Sequence, residues 1–168
     1  MSLYEASVPV FLRSLGALSS IADKAAAHAA ARKIDPSVLL GARLYPDMLP
    51  CLRQFQIATD HAKGASARLA GVEVPRFDDT ETTFDDLKAR LAKTSDFIKG
   101  LPAAQIDGAG NREVTLAIGG RSLSFKGQGY LFHFALPNFY FHMTTAYAIL
   151  RHNGVEVGKR DFIGAAPT

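Results

Sequence analysis

Two pairs of amide and histidine side chains carry most of the chemistry that this sequence could perform. Asn138 and His142 are four residues apart in an aromatic segment, so on a helix both side chains share one face. Thr145 falls on the same face at about 100° of rotation per residue. Gln54 and His61, seven residues apart, share a face of an earlier helix. Because amide, hydroxyl and imidazole groups bind polar ligands, these five residues are the predicted lining of a small interior pocket.

A structural role for the same histidines stays open. A histidine in an aromatic helix is usually hydrogen-bonded to a neighbour, because buried polar groups are normally satisfied. His142 is therefore either structural or ligand-binding. His61, followed seven residues later by Arg68 on the same stripe, lies either in the pocket or in solvent. His133 is predicted on the face opposite His142 of a straight helix, and a kink at Pro137 would change that placement.

Composition excludes several classes of protein. The single cysteine, Cys51, rules out an intramolecular disulfide and cysteine-based zinc sites. The 168 residues include 19 Lys and Arg against 16 Asp and Glu, and the basic residues are scattered, so no nucleic-acid partner is expected. No apolar run reaches the roughly 18 residues of a membrane span, and the N-terminus lacks a signal-peptide pattern. We therefore expect a cytoplasmic protein that has no membrane partner.

Four long helices must position the candidate residues. They are predicted at about residues 3–33, 47–69, 84–99 and 128–153. A short helix beginning at Asp35-Pro36 precedes the second of them, because Asp is a good N-cap and Pro suits the first helical position. Thr83 and Asp86 have the spacing of a capping box at the start of the third. The acidic run there is better explained by capping than by metal binding; it consists of Asp78, Asp79, Glu81, Asp85 and Asp86.

A β-hairpin is predicted between the third and fourth of these helices. Gly119-Gly120 separates two alternating runs, which is typical of a two-residue hairpin turn. In that register Val114 faces Phe125 and Leu116 faces Leu123. The predicted fold is all-α: one four-helix bundle domain over residues 1–168, with a small β-hairpin between helices 3 and 4.

The last helix is the most apolar and aromatic segment of the chain. A helix that is apolar around most of its circumference is buried on several sides, which favours a central position and a further face for a partner chain. Large exposed apolar patches rarely persist on monomers, so a homodimer is expected. The hairpin could instead cover the same surface within one chain.

The layout of these segments resembles the DinB/YfiT-like superfamily, and within it a branch known only as a domain of unknown function. The resemblance extends over essentially the whole chain. It is carried by four stretches: Asp60-His61-Ala62-Lys63-Gly64-Ala65, Asn138-Phe139-Tyr140-Phe141-His142, Leu150-Arg151-His152-Asn153-Gly154 and Asp161-Phe162-Ile163-Gly164.

The resemblance implies a DinB-like bundle and a metal site. Better-known members hold a divalent metal with three histidines, and several are metal-dependent thiol transferases or isomerases. Carried over, His142 matches the second histidine of the last helix, Asn138 stands at the position of the first, and His61 or Gln54 would be the ligand from the second helix. Asn138 departs from the pattern, because zinc and nickel prefer imidazole to an amide oxygen.

Two hypotheses follow for function. The first is a DinB-like bundle without catalysis that binds a small apolar molecule and dimerises. The second is a zinc- or nickel-dependent transferase or isomerase that uses His61, Asn138 and His142 as a degenerate metal site.

Overall fold

Four long helices and one hairpin form the frame of the molecule in a computed structural model that describes residues 2–164. In chain order the elements are α1 (Val8–Arg32), α2 (Pro36–Gly41), α3 (Cys51–Ala70), α4 (Phe84–Lys99), α5 (Ala103–Asp107), β1 (Glu113–Ile118), β2 (Arg121–Lys126), α6 (Gly127–Tyr130), a π-helical turn (Leu131–Ala135), α7 (Leu136–His152) and α8 (Lys159–Ile163). The predicted all-α bundle with a small hairpin is confirmed. Met1 and residues 165–168, which the predicted domain includes, lie outside the described residues.

The core lies between the four long helices. α3 packs most extensively against α7, and α1 against α4. Phe11 of α1 and Phe139 of α7 are fully buried and meet edge to face, with ring centroids 5.0 Å apart. Aromatic pairs of this geometry add to the stability that burial provides. No helix within the described residues combines the length and apolar character that crossing a bilayer requires.

Local sequence explains most helix ends. Thr83 Oγ1 accepts a hydrogen bond from the Asp86 N–H at 3.1 Å, and Asp86 Oδ2 accepts from the Thr83 N–H at 2.9 Å, so the predicted capping box is present. The first helix begins at Val8 rather than near residue 3, because Ser2 caps a separate turn by accepting from the Glu5 N–H. The second long helix begins at Cys51, directly after Pro50, rather than at residue 47.

The hairpin has the predicted register. Val114 pairs with Phe125 and Leu116 with Leu123. Both turn glycines have positive φ, 57° at Gly119 and 76° at Gly120, as a tight two-residue turn requires. The side chains of Val114 and Leu116 are buried, so this face of β1 covers one end of the helical core.

The last helical segment is not one straight helix. Pro137 has no N–H to donate, and just before it the Leu136 N–H reaches the Leu131 carbonyl oxygen five residues back. The extra residue in this π-helical turn changes the direction of the side chains that precede α7. His133 is exposed and His142 half-buried, so the two differ in burial as the helical phase predicted.

Candidate functional site

Two imidazoles from different helices meet at the junction of α3 and α7. The rings of His61 and His142 stack with centroids 5.7 Å apart and planes inclined by 16°. His142 Nδ1 lies 2.7 Å from Gln54 Oε1, and because that oxygen can only accept, Nδ1 donates. Gln54 is itself held, since its Nε2 donates to the Leu49 carbonyl oxygen at 3.0 Å. This chain of hydrogen bonds fixes the tautomer of His142 and leaves its Nε2 as an acceptor.

Both imidazoles are neutral at physiological pH. Burial lowers the pKa of His61 to about 4, with further lowering by the nearby His142 and Arg68 against an opposing effect of Asp60. Burial also lowers the pKa of His142. The stacked pair therefore forms without charge repulsion, and it presents ring nitrogens that accept or donate hydrogen bonds rather than positive charge.

A cleft of about 320 Å³ lies beside His61. α3 forms its polar wall, whereas β1 and the start of the last helical segment form a mostly apolar wall. The residues that line the cleft are Asp60, His61, Arg68, Thr115, Leu116, Ala117, Ile118, Tyr130 and Phe134. A concave, partly apolar space with a few polar groups on one side is the usual form of a small-molecule site.

The π-helical turn shapes the aromatic wall of this cleft. Tyr130 and Phe134 stack across the turn with ring centroids 5.9 Å apart. Phe125 of the hairpin packs against Phe134 at 5.5 Å, and Phe134 also contacts His61 edge to face at 6.1 Å. π-helical turns occur frequently at functional sites, where they redirect side chains.

Within residues 2–164, Arg68 is the one cation that lines the cleft. Its Nη1 donates to the Tyr130 hydroxyl at 3.2 Å. Across residues 2–164 it forms no ion pair. One turn earlier on α3, a Cβ at Gly64 would lie 2.5 Å from Arg68 Nη1. The glycine therefore leaves the space in which the guanidinium lies along the helix.

The five residues predicted for the pocket have two different environments. Gln54, His61 and His142 come together as described. Asn138 instead donates from Nδ2 to the Phe134 carbonyl oxygen at 2.7 Å, and Thr145 donates to the Phe141 carbonyl oxygen at 2.7 Å. Both of these donors are thus used by backbone of their own helical segment.

The side chains present do not fit a zinc or nickel centre of three imidazoles. His142 has the orientation of many metal-binding histidines, because its second nitrogen donates to a fixed carbonyl oxygen. However, no group of three or more His, Cys, Asp or Glu side chains within residues 2–164 is placed to hold a metal ion. Catalytic zinc sites use three protein ligands, and an asparagine amide is a weak substitute for the third. We therefore assign no reaction step to a metal.

A second polar cluster adjoins the cleft at Asp60 and was not predicted. Arg90 is only 4% exposed. Its donors and charge are taken up by Thr59 Oγ1 at 2.7 Å, Asp60 Oδ1 at 2.9 Å, Glu81 Oε1 at 3.0 Å, Asp79 Oδ1 at 3.1 Å and the Asp78 carbonyl oxygen at 3.2 Å. We call this group the Arg90 cluster. Asp79 and Glu81 therefore pair with arginine rather than cap α4, whereas Asp86 does cap it.

The sequence contained a partial signal for the cleft and none for the Arg90 cluster. Arg68 shares the seven-residue stripe of Gln54 and His61, so its position was predictable. Tyr130, which also lines the cleft, directly precedes the π-helical turn, and no local sequence pattern predicted that turn. The partners of Arg90 are up to 31 residues away in sequence, and pairing over that range follows from packing alone.

Comparisons with known proteins agree with this architecture. Residues 3–163 match the family described as Domain of unknown function (DUF1993). A crystal structure of a DinB family member protein from Shewanella denitrificans is 42% identical and superposes with a TM-score of 0.89, covering 99% of this chain and 94% of that one. A search of curated proteins finds no match. With a family match over almost its whole length and this likeness in fold, the chain belongs to the DUF1993 family and has a DinB-like fold.

Proposed function

We propose that this protein binds a small, largely apolar organic molecule in the cleft between α3, β1 and the π-helical turn. The observation that carries the proposal is the shape and lining of that cleft, about 320 Å³ with charged and imidazole groups on the α3 wall and mostly apolar side chains on the other. Leu116, Ile118 and Phe134 would cover the apolar body of the ligand. His61 and Arg68 would fix its orientation through hydrogen bonds.

A blocking variant on the hairpin tests this proposal. Ile118 is 43% exposed and lines the cleft, so Ile118→Trp should fill the cleft without disturbing the core. Val38 is 59% exposed on α2 and does not line the cleft, so Val38→Trp is the control. We expect a fragment library screened by ¹H–¹⁵N NMR to shift amides of α3 and β1, and Ile118→Trp but not Val38→Trp to abolish those shifts. Fragments whose shifts cluster elsewhere, or survive Ile118→Trp, would refute the proposal.

A metal-dependent transferase or isomerase is the second candidate. It is favoured by the approach of His61 and His142 and disfavoured by the lack of a third imidazole beside them. Metal analysis of protein purified without a histidine tag separates the two. Stoichiometric zinc or nickel that disappears in His142→Ala would favour the enzyme, whereas metal-free protein of unchanged stability would favour the binding protein.

We further propose that the protein is a homodimer in solution. The proposal is supported by apolar side chains on the surface of the last helix, with Phe141 58% and Tyr140 38% exposed. Leu49, 44% exposed, precedes α3 and is joined to the last helix through Gln54, which donates to the Leu49 carbonyl oxygen and accepts from His142. An apolar patch of this kind is most commonly buried by two-fold association. A cytoplasmic location and the lack of a nucleic-acid or membrane partner stay predictions from the sequence.

Light scattering at micromolar concentration tests the dimer. We expect twice the 18.1 kDa mass of one chain, and a shift to the monomer in Phe141→Ser. Val72→Ser removes a 39% exposed apolar side chain just after the C-terminal end of α3, away from the proposed interface, and should leave the dimer intact. A mass of one chain for the wild-type protein would refute the proposal.

A further inference from the structure

We infer, on the basis of the proposed binding function, that the ligand of the cleft carries a carboxylate, which Arg68 and Tyr130 bind. Arg68 is half-buried, and its only side-chain hydrogen bond within the described residues is the one from Nη1 to the Tyr130 hydroxyl. A guanidinium has five N–H donors in a planar fork that matches a carboxylate. No buried polar side-chain atom in the described part of the chain lacks a partner, so the remaining donors of Arg68 are accessible from outside, and the residue lines the cleft.

Tyr130 supplies a further donor at the same place. Its hydroxyl oxygen accepts the hydrogen bond from Arg68, which leaves its own O–H free to donate to a second oxygen. The residue as a whole is only 1% exposed, so packing fixes the position of the hydroxyl. Hydrogen bonds to an ionised oxygen are the strong ones, particularly where the donors are already in place.

Because Gly64 has no side chain, it leaves the space in which the guanidinium of Arg68 lies along α3. The three atoms nearest to a Cβ at position 64 all belong to the end of the Arg68 side chain, at 2.5, 3.5 and 3.9 Å. A larger residue at this position would push the guanidinium away without meeting any other group at such short range. The glycine thus sets the place of the charge, and it also offers a way to move that charge without removing it.

The charges around the cleft favour a single negative charge on the ligand. Arg68 is the only cation among the lining residues, and Asp60 is the only anion. Asp60 is already paired with Lys63 at 3.0 Å and Arg90 at 2.9 Å, so it does not compete for Arg68. A phosphate with two charges would face Asp60 with one guanidinium to balance it, whereas a carboxylate is matched by that guanidinium alone.

Matched acids and amides test this inference. The probes are phenylacetate, 3-phenylpropanoate and hexanoate, each with its primary amide and its phosphonate analogue, titrated by ¹H–¹⁵N NMR. We expect the acids to bind at the cleft of the wild-type protein at least about tenfold more tightly than their amides, as expected for charge-assisted hydrogen bonds. Gly64→Ala and Arg68→Met should remove this preference, whereas the helical control Gly16→Ala, with no heavy atom near its Cβ, should keep it.

Each other outcome has a separate meaning. Acids and amides that bind the cleft with equal affinity would overturn the carboxylate assignment and leave the proposed function standing. Phosphonates that bind more tightly than the acids, or a preference that survives Gly64→Ala and Arg68→Met, would also overturn it. A wild-type protein in which no probe of any class shifts a cleft residue would overturn both proposals.

Discussion

Arg68 belongs to α3, whereas Arg90 belongs to α4 and contacts α3 at Thr59 and Asp60, and the surroundings of the two arginines differ in almost every respect. Arg90 is nearly fully buried and is in contact with three carboxylates, a hydroxyl and a carbonyl oxygen. Arg68 is half-buried beside an open cleft and has one phenolic partner. The local sequences around Arg90 and Arg68 both favour a helix and do not predict this difference. It arises from which segments pack over each side chain.

The contrast separates a structural cation from one available to a ligand. The Arg90 cluster ties the segment between α3 and α4 to both helices, and Phe77 adds to this attachment with its ring 4.0 Å from Lys63 Nζ and 4.1 Å from Lys93 Nζ. A hollow of about 400 Å³ borders this cluster, but its arginine is already paired. Volume alone therefore does not identify a binding site, and the proposed site rests instead on a cleft beside an arginine that forms no ion pair within residues 2–164.

The largest effect should come from Arg90. Arg90→Met keeps the aliphatic part of the side chain and removes the charge, which leaves Glu81 and its neighbours without their shared partner. Breaking a buried pair in this way costs about 3–5 kcal/mol in the free energy of unfolding. Urea denaturation of the wild-type protein and of Arg90→Met measures this loss of free energy. Arg76→Met is the control, because Arg76 and its partner Asp78 are both exposed, and it should cost less than about 0.5 kcal/mol. Equal losses for the two variants would show that the Arg90 cluster does not stabilise the fold.

An intermediate effect is expected at the imidazole pair. His142→Ala removes the partner of the buried Gln54 side chain, and an unsatisfied buried polar group costs about 1–3 kcal/mol. His133→Ala changes an exposed residue of the same helical segment and should stay within about 0.5 kcal/mol. Thermal unfolding compares the two variants. Equal melting temperatures would mean that the hydrogen bond to Gln54 contributes nothing to stability.

The imidazole pair and the Arg90 cluster also show how much of the structure could be predicted from the sequence. Helical periodicity and capping residues predicted the four long helices, and the glycine pair predicted the hairpin register, because both signals are local. The approach of His61 to His142 depends on how α3 packs against α7, and spacing along each helix only limited the choice. The π-helical turn that follows Tyr130 could not be predicted, and neither could the place of Tyr130 in the cleft wall. The partners of Arg90 are set by the path of the segment over α4, for which residues 71–83 carry no periodic pattern.

The imidazole pair and the Arg90 cluster should lose their contributions to stability in different ranges of pH. Because the folded pKa of His61 is about 4 and its ordinary value is 6.5, the unfolded chain binds the proton more readily. The contribution of the neutral His61 to the free energy of unfolding is therefore complete above pH 6.5 and is lost as the pH falls toward 4. Burial alone would raise the pKa of Asp79 and Glu81, but the hydrogen bond and charge of Arg53 at Asp79 and the hydrogen bond from Gln56 at Glu81, each with a further effect of Arg90, outweigh it and lower both pKa values. Their contribution is therefore present above the ordinary carboxyl range and is lost below it.

Urea denaturation at pH 7 and pH 5 isolates the histidine effect. We expect the free energy of unfolding to fall by up to about 2 kcal/mol over this interval, from the shift at His61 alone. His61→Gln should remove most of that fall, whereas His133→Gln, at an exposed position, should preserve it. A fall of the same size in His61→Gln would assign the pH dependence to other groups.

The smallest effect on stability should come from Arg68, and this sharpens the comparison most. Arg68→Met removes one hydrogen bond to Tyr130 and no ion pair recorded within residues 2–164, so the free energy of unfolding should change by about 1 kcal/mol or less. The same substitution at Arg90 is expected to lower the free energy of unfolding several times more, although Arg68 belongs to α3 and Arg90 contacts that helix. Urea denaturation of Arg68→Met and Arg90→Met, measured side by side at pH 7, gives the ratio directly. A cost at Arg68 equal to that at Arg90 would mean that Arg68 is a structural cation. A small cost would show that little of the fold depends on the charge of Arg68, as the proposed carboxylate site beside Gly64 requires.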